Sequence, residues 1–269
     1  MTESPAENVD QLRVERRPEC VVVVTLDHAE RRNAMTAPMT RSWERAMTEL
    51  RSDRTVRCVV VTGAGSAFCA GGDMGWLAAE PDAGVDALRD RMLRFYRSWL
   101  SIRALEVPTI AAVNGAAIGA GLCLALAADL RYAAADATLS MPFTGLGMHP
   151  GMAATWLVPG VAGLGVAREL LLTGRMVTGA EAVGLGLVNR AFPADELLPA
   201  VLDLAAAVAA KAPIATRLTK VALAAGGHAT FDAALQWEAV AQPITMATRD
   251  LQEGLAAARE KRAAQFLGQ

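Results

Sequence analysis

Two stretches of small residues could do chemistry through their backbone amides. The first, residues 69–73, contains Gly71 and Gly72, and the second covers residues 118–121. Each stretch follows strand-like sequence, and glycine lets a backbone approach a ligand more closely than other residues do. A pair of backbone N–H groups can stabilise the negative charge that develops on a carbonyl or thioester oxygen. Close packing of two turns uses the same residue types, so composition alone leaves both interpretations open.

The motifs of several other kinds of site are incomplete. Gly63 and Gly65 follow a strand, but Phe68 stands where a dinucleotide-binding turn has its third glycine. The sequence has no Gly-Lys-Ser/Thr phosphate loop and no Gly-x-Ser-x-Gly nucleophile turn. The three histidines are far apart and are not at the spacing of metal ligands. We therefore expect neither a metal site nor a nucleotide loop of these types.

Composition and charge predict a soluble cytoplasmic protein. The hydrophobic fraction of 53% predicts a well-packed core, and the net charge of −2 gives no general attraction to nucleic acid or an anionic membrane. Four scattered cysteines without a Cys-x-x-Cys pair are typical of buried, reduced thiols. Residues 1–19 lack the apolar core of a signal peptide, and the longest apolar run, 116–128, is too short to span a bilayer.

Predicted strands and helices alternate along the chain, and these elements must position the two small-residue stretches. A strand, a turn and a helix recur at a period of roughly fifty residues, which predicts an α/β fold. We expect one domain, 1–269, with a core of about 15–199 and a helical C-terminal region of about 200–269. The predicted strands are 20–26, 57–62, 109–113, 129–132 and 138–141, and residues 142–155 are predicted to form a loop. The predicted helices are 38–51, 82–105, 164–173, 179–185, 194–210, 213–225, 230–247 and 250–262.

An ordered series of motifs decides between the two interpretations of the small-residue stretches. The sequence contains Ala-Phe-Cys-Ala-Gly-Gly-Asp-Met at 67–74 and Asn-Gly-Ala-Ala-Ile-Gly-Ala-Gly at 114–121. Further motifs lie at 32–35, 128–131, 172–174, 184–188 and 260–262. With these motifs in this order, the sequence resembles the enoyl-CoA hydratase/isomerase (crotonase) superfamily over about residues 15–267.

The resemblance implies a fold, an assembly and a ligand. The fold would be a crotonase-type spiral of ββα repeats with a C-terminal helical region, assembled as a homotrimer or as a hexamer made of two trimers. Gly72 and Ala120 would supply the two amides of an oxyanion hole for an acyl-CoA thioester. Ala70 and Gly72 would lie along the adenine and pantetheine of coenzyme A, and Lys261 would lie near its phosphates, in its own or a neighbouring subunit. Coenzyme A would arrive as part of the substrate, with no permanently bound cofactor.

The arginines of the turn after the first strand are weaker candidates for the same phosphates. Arg32 belongs to the match at 32–35, but an exposed turn is the simpler interpretation of both Arg31 and Arg32.

The sequence departs from the superfamily at the acid–base positions. Cys123 and Phe143 stand where hydratases have two glutamates, and Gly151 stands where some relatives have an aspartate. Each general acid–base group contributes about 10²–10⁴-fold in rate, so ordinary hydration should be nearly lost. His149 is a candidate replacement because its intrinsic pKa suits proton transfer. Asp73 is expected to make a structural hydrogen bond.

Two side chains near the expected pocket have simpler interpretations than catalysis. Cys123 is the least favoured candidate for a nucleophile, because no base stands beside it in the sequence. Phe143 is expected to form a wall of the acyl pocket and to contribute to substrate binding.

Two classes of function remain open on these observations. The first is an enzyme of fatty acid metabolism, a lyase or isomerase that stabilises a thioester enolate and catalyses isomerisation, decarboxylation, thioester hydrolysis or weak hydration. The second is a non-catalytic protein that binds acyl-CoA. The retained small-residue loops fit both classes, because either one must hold the thioester.

Overall fold

Short apolar runs form the strands of two sheets. The computed structural model describes residues 7–80, 82–224 and 230–269. Valine-rich segments supply the central strands, as expected for β-branched residues on a buried sheet. The strands are β1 (Glu7–Val9), β2 (Leu12–Arg16), β3 (Val21–Leu26), β4 (Cys58–Gly63), β5 (Ala67–Cys69), β6 (Thr109–Val113), β7 (Ala116–Ile118), β8 (Leu130–Ala134), β9 (Thr138–Ser140), β10 (Val177–Thr178) and β11 (Arg190–Phe192).

Helices follow most of the strands and continue to the C-terminus. Several begin at a threonine whose hydroxyl accepts a backbone N–H of the first turn, as Thr36 does from Met39 and Thr248 does from Leu251. The helices are α1 (Ala37–Ser52), α2 (Met74–Leu77), α3 (Val85–Trp99), α4 (Ala120–Ala127), α5 (Ala154–Thr173), α6 (Gly179–Gly184), α7 (Ala194–Ala209), α8 (Pro213–Ala224), α9 (Phe231–Met246) and α10 (Arg249–Glu260).

From β4 to β9 the strands alternate between the two sheets along the chain. The larger sheet has the order β1-β2-β3-β4-β6-β8-β11, and the smaller has the order β10-β9-β7-β5. Each of β4, β6 and β8 is followed by a strand of the smaller sheet and then by helix, giving three successive ββα units. The pairs β3–β4, β4–β6 and β6–β8 are parallel, as are β5–β7 and β7–β9. This is the predicted α/β spiral.

Two helices differ from the sequence-based prediction. Helix α5 begins at Ala154, whereas the sequence predicted a loop to residue 155 and a helix only from 164. Pro159 and Gly163 made this segment look non-helical, and Gly163 does interrupt the helix with φ 77° and ψ 164°. The long helix predicted over 82–105 is α3 followed by a 3₁₀ turn, Leu100–Ala104.

The predicted division of the domain at residue 200 falls inside α7, which spans both parts. Leu197, Val201 and Ala205 form the buried face of α7, and this helix packs on β4, β6 and β8 of the larger sheet. Helices α8, α9 and α10 follow it. The boundary near 200 therefore stays a prediction.

One described helix is long and apolar enough to cross a membrane by length and composition alone. It is α5, and α7 with α8 would pass the same test if counted together, although they are bent by 107°. Apolar helices of globular proteins also pass this test. The break at Gly163 and the packing of Leu157, Val158 and Leu170 into the core are features of a helix within the fold.

Candidate functional site

The two small-residue stretches lie side by side because they follow neighbouring parallel strands. Strands β5 and β7 pair with Ala67 opposite Ala116 and Cys69 opposite Ala117. The carboxyl ends of parallel strands meet at one edge of a sheet, where α/β folds commonly place their sites. Residues 70–73 and 118–120 leave the smaller sheet at this edge.

Glycine is required where these two loops touch. A Cβ on Gly121 would lie 2.1 Å from the Cys69 carbonyl oxygen, and one on Gly71 would lie 2.6 Å from the Ile118 carbonyl oxygen. Gly71 also has φ +92°, a conformation that L side chains rarely adopt. Gly72 is different, because its Cβ would meet only the Leu77 side chain at an ordinary 3.6 Å. Close packing thus explains Gly71 and Gly121 but not Gly72.

Gly72 and Ala120 both line a small cavity at the junction of the loops. Ala120 is the first residue of α4, so its N–H has no acceptor within the helix. Gly72 forms an isolated parallel bridge with Met35, in which the Met35 N–H donates to the Gly71 carbonyl at 2.8 Å. The cavity has a volume of about 110 Å³ and is also lined by Ala70, Gly71, Met74, Leu77, Met92, Phe95, Tyr96, Ile118, Gly119, Pro142, Phe143, Leu146, Met148, His149, Gly151 and Met152.

Two asparagines hold the loops in place. Asn33 is fully buried, and its amide nitrogen donates to the carbonyls of Ala64 and Ala67 at 2.9 and 2.8 Å. Asn114 accepts from the Gly63 N–H at 3.0 Å and donates to the next turn. Sequence reasoning gave neither residue a role. The sequence did contain a signal for this role, namely one asparagine in each matching motif. An amide side chain in a turn can hydrogen-bond the backbone N–H and C=O groups that the turn leaves without partners.

Asp73 supports the first loop structurally. Its Oδ1 accepts the Trp76 N–H at 2.8 Å and thereby caps α2, as the sequence led us to expect. Its Oδ2 forms an ion pair with Arg31 at 2.7 Å. Arg31 is therefore attached to the residue that follows Gly72, and its side chain is 55% exposed.

Neither Cys123 nor Phe143, the residues for which the resemblance implies an exchange with glutamate, has a side chain that exchanges protons near neutral pH. The Cys123 thiol is fully buried and donates to the Gly151 carbonyl at 3.7 Å. Burial raises the pKa of Cys123 far above its ordinary value, so the group is a neutral thiol and not a nucleophile. The Phe143 ring lies against Gly119 and lines the cavity, where it forms an apolar wall.

His149 lines the cavity but is exposed. Its Nδ1 lies 2.8 Å from the Pro150 carbonyl oxygen. If Nδ1 carries the proton and donates to this carbonyl, Nε2 is left as the acceptor. The ring is thus placed at the cavity with one basic nitrogen.

Tyr96 is a cavity residue that sequence reasoning missed. It lies on α3 one helical turn after Met92, and both side chains reach the cavity. A Cβ on Gly151 would lie 2.5 Å from the Tyr96 hydroxyl oxygen, so this hydroxyl occupies space that Gly151 leaves open. The pKa of Tyr96 is raised above its ordinary value. Burial is the main cause and Cys123 adds to it, while a hydrogen bond from the Met152 amide offsets part of the increase. The available signal was the i, i+4 spacing from Met92, which put Tyr96 on the apolar face of a helix.

The residues proposed for the coenzyme A portion are distributed more widely. Ala70 lines the cavity and donates its N–H to the Arg32 carbonyl at 2.9 Å. Arg32 itself is an exposed residue in a left-handed turn. Lys261 is exposed at the C-terminal end of α10 and is not among the residues that line the cavity.

Within the described ranges, no group of three or more His, Cys, Asp or Glu side chains is arranged to hold a metal ion. The cavity lining includes neither aspartate nor glutamate over the same residues.

Comparison with known proteins identifies the family. The sequence model of the enoyl-CoA hydratase/isomerase family matches residues 16–269. The Bacillus subtilis protein YngF is 39% identical over 251 residues, 93% of this chain and 95% of YngF. Crotonyl-CoA hydratase of Syntrophomonas wolfei is 35% identical over 255 residues, 93% of this chain and 96% of that protein.

Solved structures show the same fold. The enoyl-CoA hydratase of Bacillus anthracis superposes with a TM-score of 0.90 at 32% identity, covering 96% of this chain and 100% of that one. The predicted crotonase-type spiral with a C-terminal helical region is thereby confirmed. The chain belongs to the enoyl-CoA hydratase/isomerase family.

Proposed function

We propose that the protein binds an acyl-CoA thioester and stabilises its enolate through the amides of Gly72 and Ala120. The observation that carries this proposal is the cavity that both residues line, at the meeting point of two loops that only glycine allows to touch. Hydrogen-bond donors fixed in advance around a water-poor site stabilise developing negative charge strongly, because no reorganisation is needed during the reaction.

The walls of the cavity favour a short acyl group. A volume of about 110 Å³ is smaller than the engineered 150 Å³ cavity that binds benzene. Phe143, Leu146 and Met148 make one side of the cavity apolar. Ala70 and Gly72 would lie along the coenzyme A, and Lys261, with Arg31 or Arg32, would lie near its phosphates.

The chemistry proposed here is that of a lyase or isomerase with little ordinary hydratase activity. Hydration needs a base for water and an acid for the α-carbon, and hydratases of this superfamily use two glutamates for these roles. Cys123 is neutral and buried here, and Phe143 cannot accept a proton. His149 is the candidate base because it reaches the cavity with one free ring nitrogen.

Turnover of enoyl-CoA thioesters tests this proposal. The purified protein is incubated with crotonyl-CoA and longer enoyl-CoAs while the absorbance of the conjugated thioester is followed, and binding of butyryl-CoA is measured by calorimetry. We expect butyryl-CoA to bind and crotonyl-CoA to hydrate at least about 10³-fold more slowly than with a relative that has both glutamates. Hydration at the rate of such a relative would contradict the proposed loss of the glutamate pair.

The alternative is a protein that binds acyl-CoA without converting it. The neutral Cys123 and the apolar Phe143 favour this alternative. Tight binding of butyryl-CoA with no product from any thioester would support it, and no binding at all would contradict both functions. A homotrimer or hexamer in the cytoplasm belongs to the same proposal.

A further inference from the structure

Helix α2 connects the first of the two amides to a wall of the cavity. It begins directly after Gly72, with Asp73 as its cap, and its last residue, Leu77, lines the cavity. A Cβ on Gly72 would lie 3.6 Å from the Leu77 side chain, so the two residues face each other. A single turn of helix is unstable by itself, so α2 depends on contacts with the rest of the protein. The position of the Gly72 amide therefore depends on what holds α2.

Arg91 on α3 holds the end of α2. Its Nη2 donates to the Trp76 carbonyl at 3.0 Å and to the Leu77 carbonyl at 3.4 Å. Hydrogen bonds from a charged donor are stronger than those between neutral groups. The Arg91 Cζ also lies 4.5 Å from the centroid of the Trp76 ring, which is the geometry of a cation–π interaction. Arg91 thus contacts α2 through both its backbone and a side chain.

The Trp76 ring connects this contact to the cavity. It packs against the Phe95 ring with the two centroids 4.8 Å apart, a distance at which aromatic pairs attract each other. Phe95 lies one turn after Arg91 on α3 and lines the cavity. Two successive turns of α3 therefore hold the same side chain of α2. Movement of α2 away from α3 would break both contacts.

Stability alone does not explain the burial of Arg91. Its side chain is only 13% exposed, and its Nε has no hydrogen-bond acceptor among the residues that the structure describes. Its Nη1 lies 3.3 Å from Glu80 Oε1, but Glu80 is 59% exposed, so solvent screens this ion pair. A buried polar atom without a partner destabilises a fold, and an apolar side chain would avoid this loss. What the guanidinium adds is the attachment of α2.

We propose that Arg91 is a positioning residue, which holds α2 so that the Gly72 amide stays aligned with the thioester oxygen. A hydrogen bond weakens steeply when its distance or angle departs from the optimum, and an oxyanion donor must be fixed in advance. The Ala120 amide belongs to a different loop, at the start of α4, so a shift of α2 affects one amide of the pair. This inference rests on the proposed oxyanion function.

The test compares butyryl-CoA with its thioether analogue S-butyl-CoA, which lacks the carbonyl oxygen. Calorimetric titration of the full chain gives both dissociation constants, and their ratio measures the contribution of the two amides. Arg91→Met keeps a long unbranched side chain but removes the charge and the donors. We expect the preference for the thioester to fall about 2- to 12-fold in this variant, as for loss of one hydrogen bond, with the binding of S-butyl-CoA unchanged.

A neighbouring arginine of α3 provides the matched control. The Arg89 side chain is 70% exposed and pairs with the adjacent Asp90, so Arg89→Met should keep the full preference for the thioester. Arg91→Lys should lose less of the preference than Arg91→Met, because an ammonium can still lie over the Trp76 ring and donate to one carbonyl. If Arg91→Met shows no folded state in urea denaturation, Arg91→Lys decides the test.

The ratio separates this inference from the oxyanion proposal. If the unchanged protein prefers the thioester and the deciding Arg91 variant keeps the same preference, Arg91 has no positioning role and the oxyanion proposal survives. Equal weakening of both ligands would show that Arg91 only supports the pocket as a whole, which also contradicts the positioning role. Equal dissociation constants in the unchanged protein would overturn the oxyanion proposal itself.

Discussion

At the scale of single residues, the site depends on a few positions where a side chain is either excluded or kept neutral. Gly71 and Gly121 allow two loops to touch, and Tyr96 fills the space beside Gly151. The glycine motifs were readable from the sequence because glycine has few equivalents in close backbone contacts. The contact of Tyr96 with Gly151 was not readable, because it comes from the packing of α3 against a loop more than fifty residues away.

Gly121→Ala should destabilise the protein because backbone atoms block the new methyl group. Its Cβ would lie 2.1 Å from the Cys69 carbonyl oxygen and 2.8 Å from the carbonyl carbon, so the two loops must separate. We expect a loss of about 3 kcal/mol in the free energy of unfolding, measured by urea denaturation. Gly184→Ala is the control and should change little, since no atom of the described residues outside its own helix and chain neighbours lies within 4 Å of the new Cβ. Equal stability of both variants would contradict the described loop contact.

Thiol reactivity should separate Cys20 from the other cysteines. Cys20 is exposed, whereas Cys58, Cys69 and Cys123 are buried. Burial raises the pKa of Cys58 and of Cys69 to about 12 and raises that of Cys123 further, so these thiols stay protonated at pH 8. A disulfide-exchange reagent should therefore modify one thiol rapidly in the folded protein and four after unfolding. Rapid modification of Cys123, identified by mass spectrometry, would show a reactive thiolate that this structure excludes.

At the scale of elements, an ion pair between the buried Lys220 and the more exposed Asp129 attaches α8 to the larger sheet. The Lys220 ammonium lies 2.8 Å from Asp129 Oδ2 and donates to the Val107 carbonyl at 2.8 Å. The same carboxylate accepts the N–H and hydroxyl of Thr109, at the start of β6. Burial lowers the pKa of Lys220, and the negative charge of Asp129 offsets part of this decrease. Loss of the Asp129 charge would therefore leave a buried cation without its partner.

Asp129→Asn should lower the free energy of unfolding by about 1–3 kcal/mol. A one-sided loss from a buried pair costs about 3–5 kcal/mol, and the partial exposure of Asp129 reduces this figure. Urea denaturation at a fixed protein concentration measures the change, with Asp136→Asn on the exposed turn after β8 as the control. Adding Lys220→Met should recover part of the loss, because no unpaired charge then remains buried. An Asp129→Asn variant as stable as the control would show that the pair does not hold α8.

The strands and regular helices were more predictable than the points at which a helix is interrupted. Valine-rich strands and the amphipathic helix α1 were readable from periodicity, since apolar spacing matches the buried face of each. Helix α5 was not, because Pro159 and Gly163 weaken the local helical signal while Leu157 and Leu170 pack into the core. Tertiary packing overrides propensity there, as it does in most protein helices.

At the scale of the whole molecule, the exposed apolar side chains of α5 and α9 fit the proposed trimer. Trp156 and Leu172 on α5 are 61% and 72% exposed, and Phe231 and Val240 on α9 are 77% and 62% exposed. Large apolar surfaces of this kind are typical of interfaces between subunits. Sedimentation equilibrium should therefore give a mass that is three or six times the 28.2 kDa chain. A monomer at micromolar concentration would contradict the proposed assembly.

The central claim, that two backbone amides hold a thioester oxygen, is tested most directly by removing that oxygen from the ligand. Butyryl-CoA and its thioether analogue S-butyl-CoA differ only in the carbonyl group, so calorimetric titration of both isolates its contribution. Two hydrogen bonds of about 0.5–1.5 kcal/mol each predict that the thioether binds about 5- to 150-fold more weakly. Equal dissociation constants for the two ligands would contradict the role assigned to Gly72 and Ala120.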